Sequence, residues 1–148
     1  GEGVAFAGDL TDLSRFGNDH YGVVYCAHVL QRLGQGDVLD YLNNLHRILR
    51  PGGKLYLSVP DLDVLAWLLL SPTVAKADRY GLMRMMFGGQ ESVLDFSHIG
   101  LNIDFLTDLL VEAGFVSIDH VESFGLFDDV SNSHFGTIPV SLNLVVTK

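Results

Sequence analysis

One hundred and forty-eight residues suit one domain, and a chain of this size buries about 70% of its unfolded surface without disulfide or metal staples. Hydrophobic residues make up 48% and run through the whole chain, which excludes disorder, and a net charge of −9 with scattered basic residues excludes a phosphate-binding face, so no nucleic acid is expected. The longest apolar run, Val64 to Leu70, is too short to span a bilayer, no charged leader is seen, and the single Cys26 fits a reducing compartment; the expectation is a cytoplasmic protein with no membrane contact.

The chain reads as alternating strands and helices. Val4 to Gly8 is a short apolar segment ending at Asp9. Tyr21 to Ala27 is a continuous apolar run, the mark of a strand covered on both faces. Val38, Leu42, Leu45 and Leu49 recur at helical spacing and predict a helix over 37–50, which Pro51-Gly52-Gly53 stops. Lys54 to Val59 is the next strand. Asp61 is placed to cap a helix through Leu70, and Ser71-Pro72 reads as the start of another, rich in methionine and ending near Gly88-Gly89.

Asn102 is placed to cap a further helix, with Ile103, Leu106, Leu109, Leu110 and Ala113 inward and Gly114 past its end. Phe115 to Glu122 and Val140 to Thr147 are the last strands, separated by a long loop from Phe124 to Pro139. Strand–helix alternation predicts a parallel sheet with helices on its faces. The last two strands have no helix between them, so they are free to pair antiparallel.

The same residues carry a resemblance. Tyr21 to Leu33, with its Cys26-Ala-His-Val-Leu-Gln-Arg-Leu33 stretch, resembles the fourth strand and following turn of class I S-adenosylmethionine-dependent methyltransferases, commonly F-D-x-I-x-x-x-H-V-L-E-H. Leu45 to Pro60 resembles their L-x-R-x-L-K-P-G-G-x-L helix-and-strand block. Glu112-Ala113-Gly114-Phe115 resembles the close of their late helix, and Gly8-Asp9-Leu10 the end of their third strand. The likeness covers nearly the whole chain in the right order. It implies an α/β, Rossmann-like sheet truncated on its N-terminal side, a single partial domain over 1–148. It also implies that the 140–147 strand inserts antiparallel between the other two late strands.

Two features depart from that pattern. The D-x-G-x-G-x-G loop and the acid that holds the cofactor's ribose are absent, and Gly22 and Arg32 stand where Asp and His are usual. The resemblance implies an adenine contact from Asp9 and Leu10, and further cofactor contacts from the turn at Cys26, Ala27 and His28. His98 and Met86 are the candidates to face a small-molecule substrate. Each also has a plain reading: Asp9 caps a turn, His28 ties down a turn, His98 is a loop histidine, and Met83, Met85, Met86 and Phe87 pack a core, a dimer contact or an adaptable cover.

The six histidines are isolated, so no metal is expected, and no catalytic residue is assigned. Two functions stay open: part of an S-adenosylmethionine-dependent methyltransferase, or a non-catalytic, self-associating module of the same fold. Without a first strand, Val23 to Ala27 would be an apolar edge unless Val4–Gly8 covers it, and an open edge predicts a homodimer. Half of the cofactor's contacts are missing, so weak or no binding of S-adenosylmethionine by this chain is expected.

Overall fold

The computed structural model describes residues 4–6 and 12–148. The expected adenine contacts, Asp9 and Leu10, lie outside the described residues. A five-stranded sheet runs in the order β1 (Val4–Phe6), β2 (Tyr21–Ala27), β3 (Leu49–Pro60), β7 (Ser141–Thr147), β4 (Ser117–Val121). β1, β2 and β3 pair parallel, whereas β7 lies antiparallel between β3 and β4. The insertion expected of the 140–147 strand is therefore observed. β1 pairs Val4 with Val23 and Phe6 with Tyr25, so it covers that stretch of β2 that would otherwise be an edge.

One face of the sheet carries the main core. Val24, Cys26, Leu55, Leu57, Leu142 and Leu144 are fully buried there against Leu42 and Leu45 of α1 (Val38–Ile48) and Leu106 and Leu110 of α4 (Ile103–Glu112). The spacing of those helix residues leaves one apolar stripe on each helix. α1 ends at Ile48, short of the Arg50 expected, because Leu49 already pairs with Tyr21 of β2; Pro51-Gly52-Gly53 lies within β3 and is not the stop of the helix. Gly52 has φ +79°, a left-handed turn that glycine adopts without strain, and a Cβ on Gly53 would stand 2.8 Å from the Arg50 carbonyl oxygen.

α4 begins where Asn102 Oδ1 accepts the Phe105 amide at 2.8 Å and ends at Gly114, φ +101°.

The opposite face is covered differently from the expected helix. Phe124 and Phe127 set their rings edge-on to Tyr25, 5.8 and 4.9 Å between centroids, and Phe124 also meets Tyr56. Asn143 Nδ2 donates to the carbonyls of Glu122 and Ser131 at 2.9 and 2.8 Å. The 124–139 loop is thus an ordered cover. It holds a 3-10 turn at Val130–Asn132 and a small hairpin of β5 (His134–Phe135) and β6 (Ile138–Pro139).

At the carboxyl ends of the parallel strands stand α2 (Leu62–Leu70) and α3 (Lys76–Phe87), packed on each other around Leu65, Leu68 and Leu82 with Val140. Asp61 caps α2 by accepting the Asp63 amide. Ser71-Pro72 does not start α3. The Ser71 amide closes α2 on the Leu68 carbonyl, its own carbonyl accepts from Val74 and Arg79, and α3 begins at Lys76. Among the described residues no helix is long and apolar enough to cross a membrane.

Candidate functional site

A cleft of about 320 Å³ opens at the carboxyl ends of β2 and β3. Ala27 and His28 close β2 there, Pro60 closes β3, and Gln31 and Arg32 follow in the turn after β2. Leu65 and Val140 give it apolar wall. Met85, Gly88, Asp95, Phe96 and Ser97 come from the end of α3 and the segment beyond, and Val130 and Ser133 from the cover loop. In open α/β sheets this end of the strands is where ligands settle.

His28 is the strained residue of the site. Its φ of +54° lies in the left-handed region, unusual for a side chain with a Cβ. Three contacts enforce it. Its amide donates to the Ser58 carbonyl at 2.8 Å, and its carbonyl accepts from Gln31 Nε2 at 2.8 Å. Its Nε2 lies 3.0 Å from Ser141 Oγ. Ser141 spends its hydroxyl proton on the Val130 carbonyl at 2.7 Å, so its lone pair accepts from His28.

The proton therefore sits on Nε2 and the lone pair on Nδ1. Burial lowers the imidazole pKa to about 4; Asp129 pulls the other way and Arg32 adds to the fall. The ring is neutral at pH 7.

Beside it lies a polar network under the cover loop. The Tyr25 hydroxyl donates to Asp129, and Asp129 Oδ1 accepts from the amide and the hydroxyl of Ser131 at 3.0 and 2.6 Å. Burial, with the Asp129 carboxylate, pushes the Tyr25 phenol up to about 12. Burial alone would raise the Asp129 carboxyl, but the hydrogen bonds from Ser131 and Tyr25 outweigh it and hold it below the usual range.

Of the residues singled out in the sequence, Ala27 and His28 line the cleft. Cys26 is fully buried in the main core, where burial pushes its thiol up to about 12. His98 is exposed, with its ring stacked on Phe96, 6.3 Å between centroids, and is not in the cleft lining. Met86 is half-buried against the α2–α3 core, and its neighbour Met85, 40% exposed, lines the cleft. The sequence reading missed Gln31, Ser141 and Asp129. A signal existed only for Gln31, which follows His28 at the three-residue spacing of a turn.

The sequence matches a family described as methyltransferase domain over residues 4–120. No curated protein matches it. Among solved structures it is similar to an S-adenosylmethionine-dependent methyltransferase from Mesorhizobium loti, at 19% identity and TM-score 0.59, covering 93% of this chain and 67% of that one. It is similar to a protein of Bordetella parapertussis named a possible exported protein, at 14% identity and TM-score 0.60, covering 92% of this chain and 41% of that one. A third, a SAM-dependent methyltransferase from Archaeoglobus fulgidus, shares 11% identity at TM-score 0.56, with 92% of this chain and 63% of that one covered. At such identities the likeness is one of fold. The chain spans less than two thirds of the length of the Bordetella and Archaeoglobus proteins.

Proposed function

The chain belongs to the methyltransferase-domain family, and from that premise we propose that its cleft is the methyl-acceptor side of an S-adenosylmethionine-dependent enzyme acting on a small molecule. The observation that carries this reading is the cleft itself, set at the carboxyl ends of β2 and β3 and lined by both apolar and hydrogen-bonding groups. A pocket of this kind orients an acceptor and excludes water.

The residues fit one flank of the cofactor and not the other. Ala27 and His28 line the cleft and offer one flank. On the other flank β1 occupies the place beside β2 that the resemblance gives to the family's first strand. The described residues hold neither a glycine cradle nor a ribose-binding acid there.

S-adenosylmethionine supplies a methyl group already activated on a sulfonium. What this chain supplies is position: a neutral His28 whose Nδ1 keeps its lone pair, and an apolar wall from Leu65 and Val140. By this reading the chain alone holds the cofactor at roughly millimolar strength.

Titration with S-adenosylhomocysteine, followed by amide NMR, tests both parts. Saturable shifts at Ala27 and His28 with roughly millimolar affinity are expected. Shifts confined to other segments overturn the site, and a dissociation constant of about 10 μM or tighter overturns the weak binding.

Trp67, Leu70 and Tyr80 on α2 and α3 are 62%, 80% and 66% exposed. They favour a second proposal, self-association through this face. Sedimentation equilibrium at high protein concentration that gives the monomer mass would overturn it.

A further inference from the structure

Ser141 takes one ring nitrogen of His28 and leaves the other for the cleft. Nε2 donates to Ser141 Oγ at 3.0 Å, and Ser141 lines a neighbouring groove instead of the cleft. Nδ1 has no hydrogen-bond partner among the described residues. It is also open to water. The unpartnered side-chain atoms that the described fold seals off are Gln31 Oε1, Ser58 Oγ and Asn143 Oδ1, and His28 Nδ1 is not one of them. His28 lines the cleft, so this lone pair is an acceptor presented there.

The fold keeps that nitrogen an acceptor. To carry its proton on Nδ1, the ring would set the Nε2 lone pair against Ser141 Oγ, whose own proton is held by the Val130 carbonyl at 2.7 Å. To carry two protons, it would have to charge a ring that burial keeps neutral down to about pH 4. In the same lining Met85 and Phe96, 40% and 37% exposed, offer a thioether and a ring, surfaces that suit a flat aromatic body. Resting on the acceptor-side reading above, we propose that His28 selects the substrate: Nδ1 accepts the proton of an N–H or O–H donor on the edge of a flat, apolar ring system lying against Met85 and Phe96, and Ser141 is the positioning residue that keeps Nδ1 an acceptor.

The test compares indole with benzofuran, the same bicycle with an oxygen in place of the N–H, by titration followed at the labelled ring nitrogens of His28. Indole donates and does not accept, so it reads a lone pair and not a hydroxyl proton. It should bind the native protein roughly three- to tenfold more tightly, the effect of one hydrogen bond. It should also shift the Nδ1 resonance as that lone pair is taken up. Benzyl alcohol against its methyl ether asks the same of an O–H donor, and the larger preference names the source of the proton. Equal affinities within both pairs, or an Nδ1 resonance that neither donor moves, overturn the proposal without any variant. Ser141→Ala should mix the two tautomers and shrink the preference, whereas Ser141→Thr, which keeps the hydroxyl, should leave both as they are. A ring that stays wholly in the Nε2–H form in Ser141→Ala overturns the positioning role, and a preference unchanged by mixed tautomers overturns the assignment to Nδ1. Donor selectivity without S-adenosylhomocysteine shifts at Ala27 and His28 would sink the methyltransferase reading and leave this one standing, and the converse would sink this one alone.

Discussion

Acidification should weaken the fold through His28, and the size of the effect follows from its surroundings. The unfolded imidazole titrates near 6.5 and the folded one near 4. As the pH falls between those values, the unfolded chain takes up a proton that the folded chain refuses. Stability therefore falls with falling pH across that window and levels off below it. Going from about pH 7.5 to about pH 5, the shift corresponds to a loss of about 2 kcal/mol, an upper figure because the ring has some contact with water.

Other groups titrate in the same range, so the measurement is a difference. Asparagine tolerates the left-handed backbone at φ +54° and does not titrate, which makes His28→Asn the reference. Urea unfolding of both proteins at several pH values should show the gap between them closing by about 1–2 kcal/mol as the pH drops. Parallel stability curves, or a native protein that gains on the variant in acid, would refute the reasoning. The His28 ring should also resist protonation down to about pH 4 in an NMR titration.

Three further outcomes are expected. Asn102→Ala removes the cap on the Phe105 amide and the bond from Nδ2 to Asp63, and should cost about 1–2 kcal/mol in urea unfolding. Gly53→Ala drives a Cβ to 2.8 Å from the Arg50 carbonyl oxygen and 3.2 Å from that of Gly22, so it should lower the melting temperature by more than Gly36→Ala, where a Cβ meets nothing. Leu144→Ala, fully buried between β3 and β4, should cost about 2–5 kcal/mol by chemical denaturation, with cooperative unfolding retained.

Much of this architecture is legible in local sequence because local physics sets it. The stripe Val38, Leu42, Leu45 marks α1, and Asn102 and Gly114 the two ends of α4. Each signal is complete within a few residues. Ser71-Pro72 shows the limit. It has the form of a helix start, but the same serine is needed to close α2, and the nearer hydrogen bond decides the matter.

The cleft was only half legible for a related reason. The position of His28 follows from where the apolar run ends. Its ring is oriented by Ser141, 113 residues away, and its neutral charge state is set chiefly by burial, against the pull of Asp129. Nothing local to either residue announces that pairing. Met85 and Met86 are a similar case, since a one-residue step around α3 sends one into the cleft and the other against the core, and only the packing of α2 fixes which.

The cover loop links these parts. Phe124 and Phe127 bury the otherwise open face of Tyr25 and Tyr56, which gives the loop an apolar reason to sit on the sheet. Once it sits there, Asp129 meets Tyr25 and the Val130 carbonyl takes the hydroxyl proton of Ser141. That last bond turns Ser141 into an acceptor and so fixes the proton of His28 on Nε2. The tautomer in the cleft thus depends on aromatic packing on the far side of the sheet. Phe127→Ala should therefore do more than cost core stability. By loosening the loop it should free Ser141 to donate and let the His28 ring exchange between tautomers, visible as averaging of its two ring-nitrogen shifts. If the Nε2–H form persists unchanged in that variant, the hydrogen bond to Ser141 alone orients the ring and the loop is only a cover.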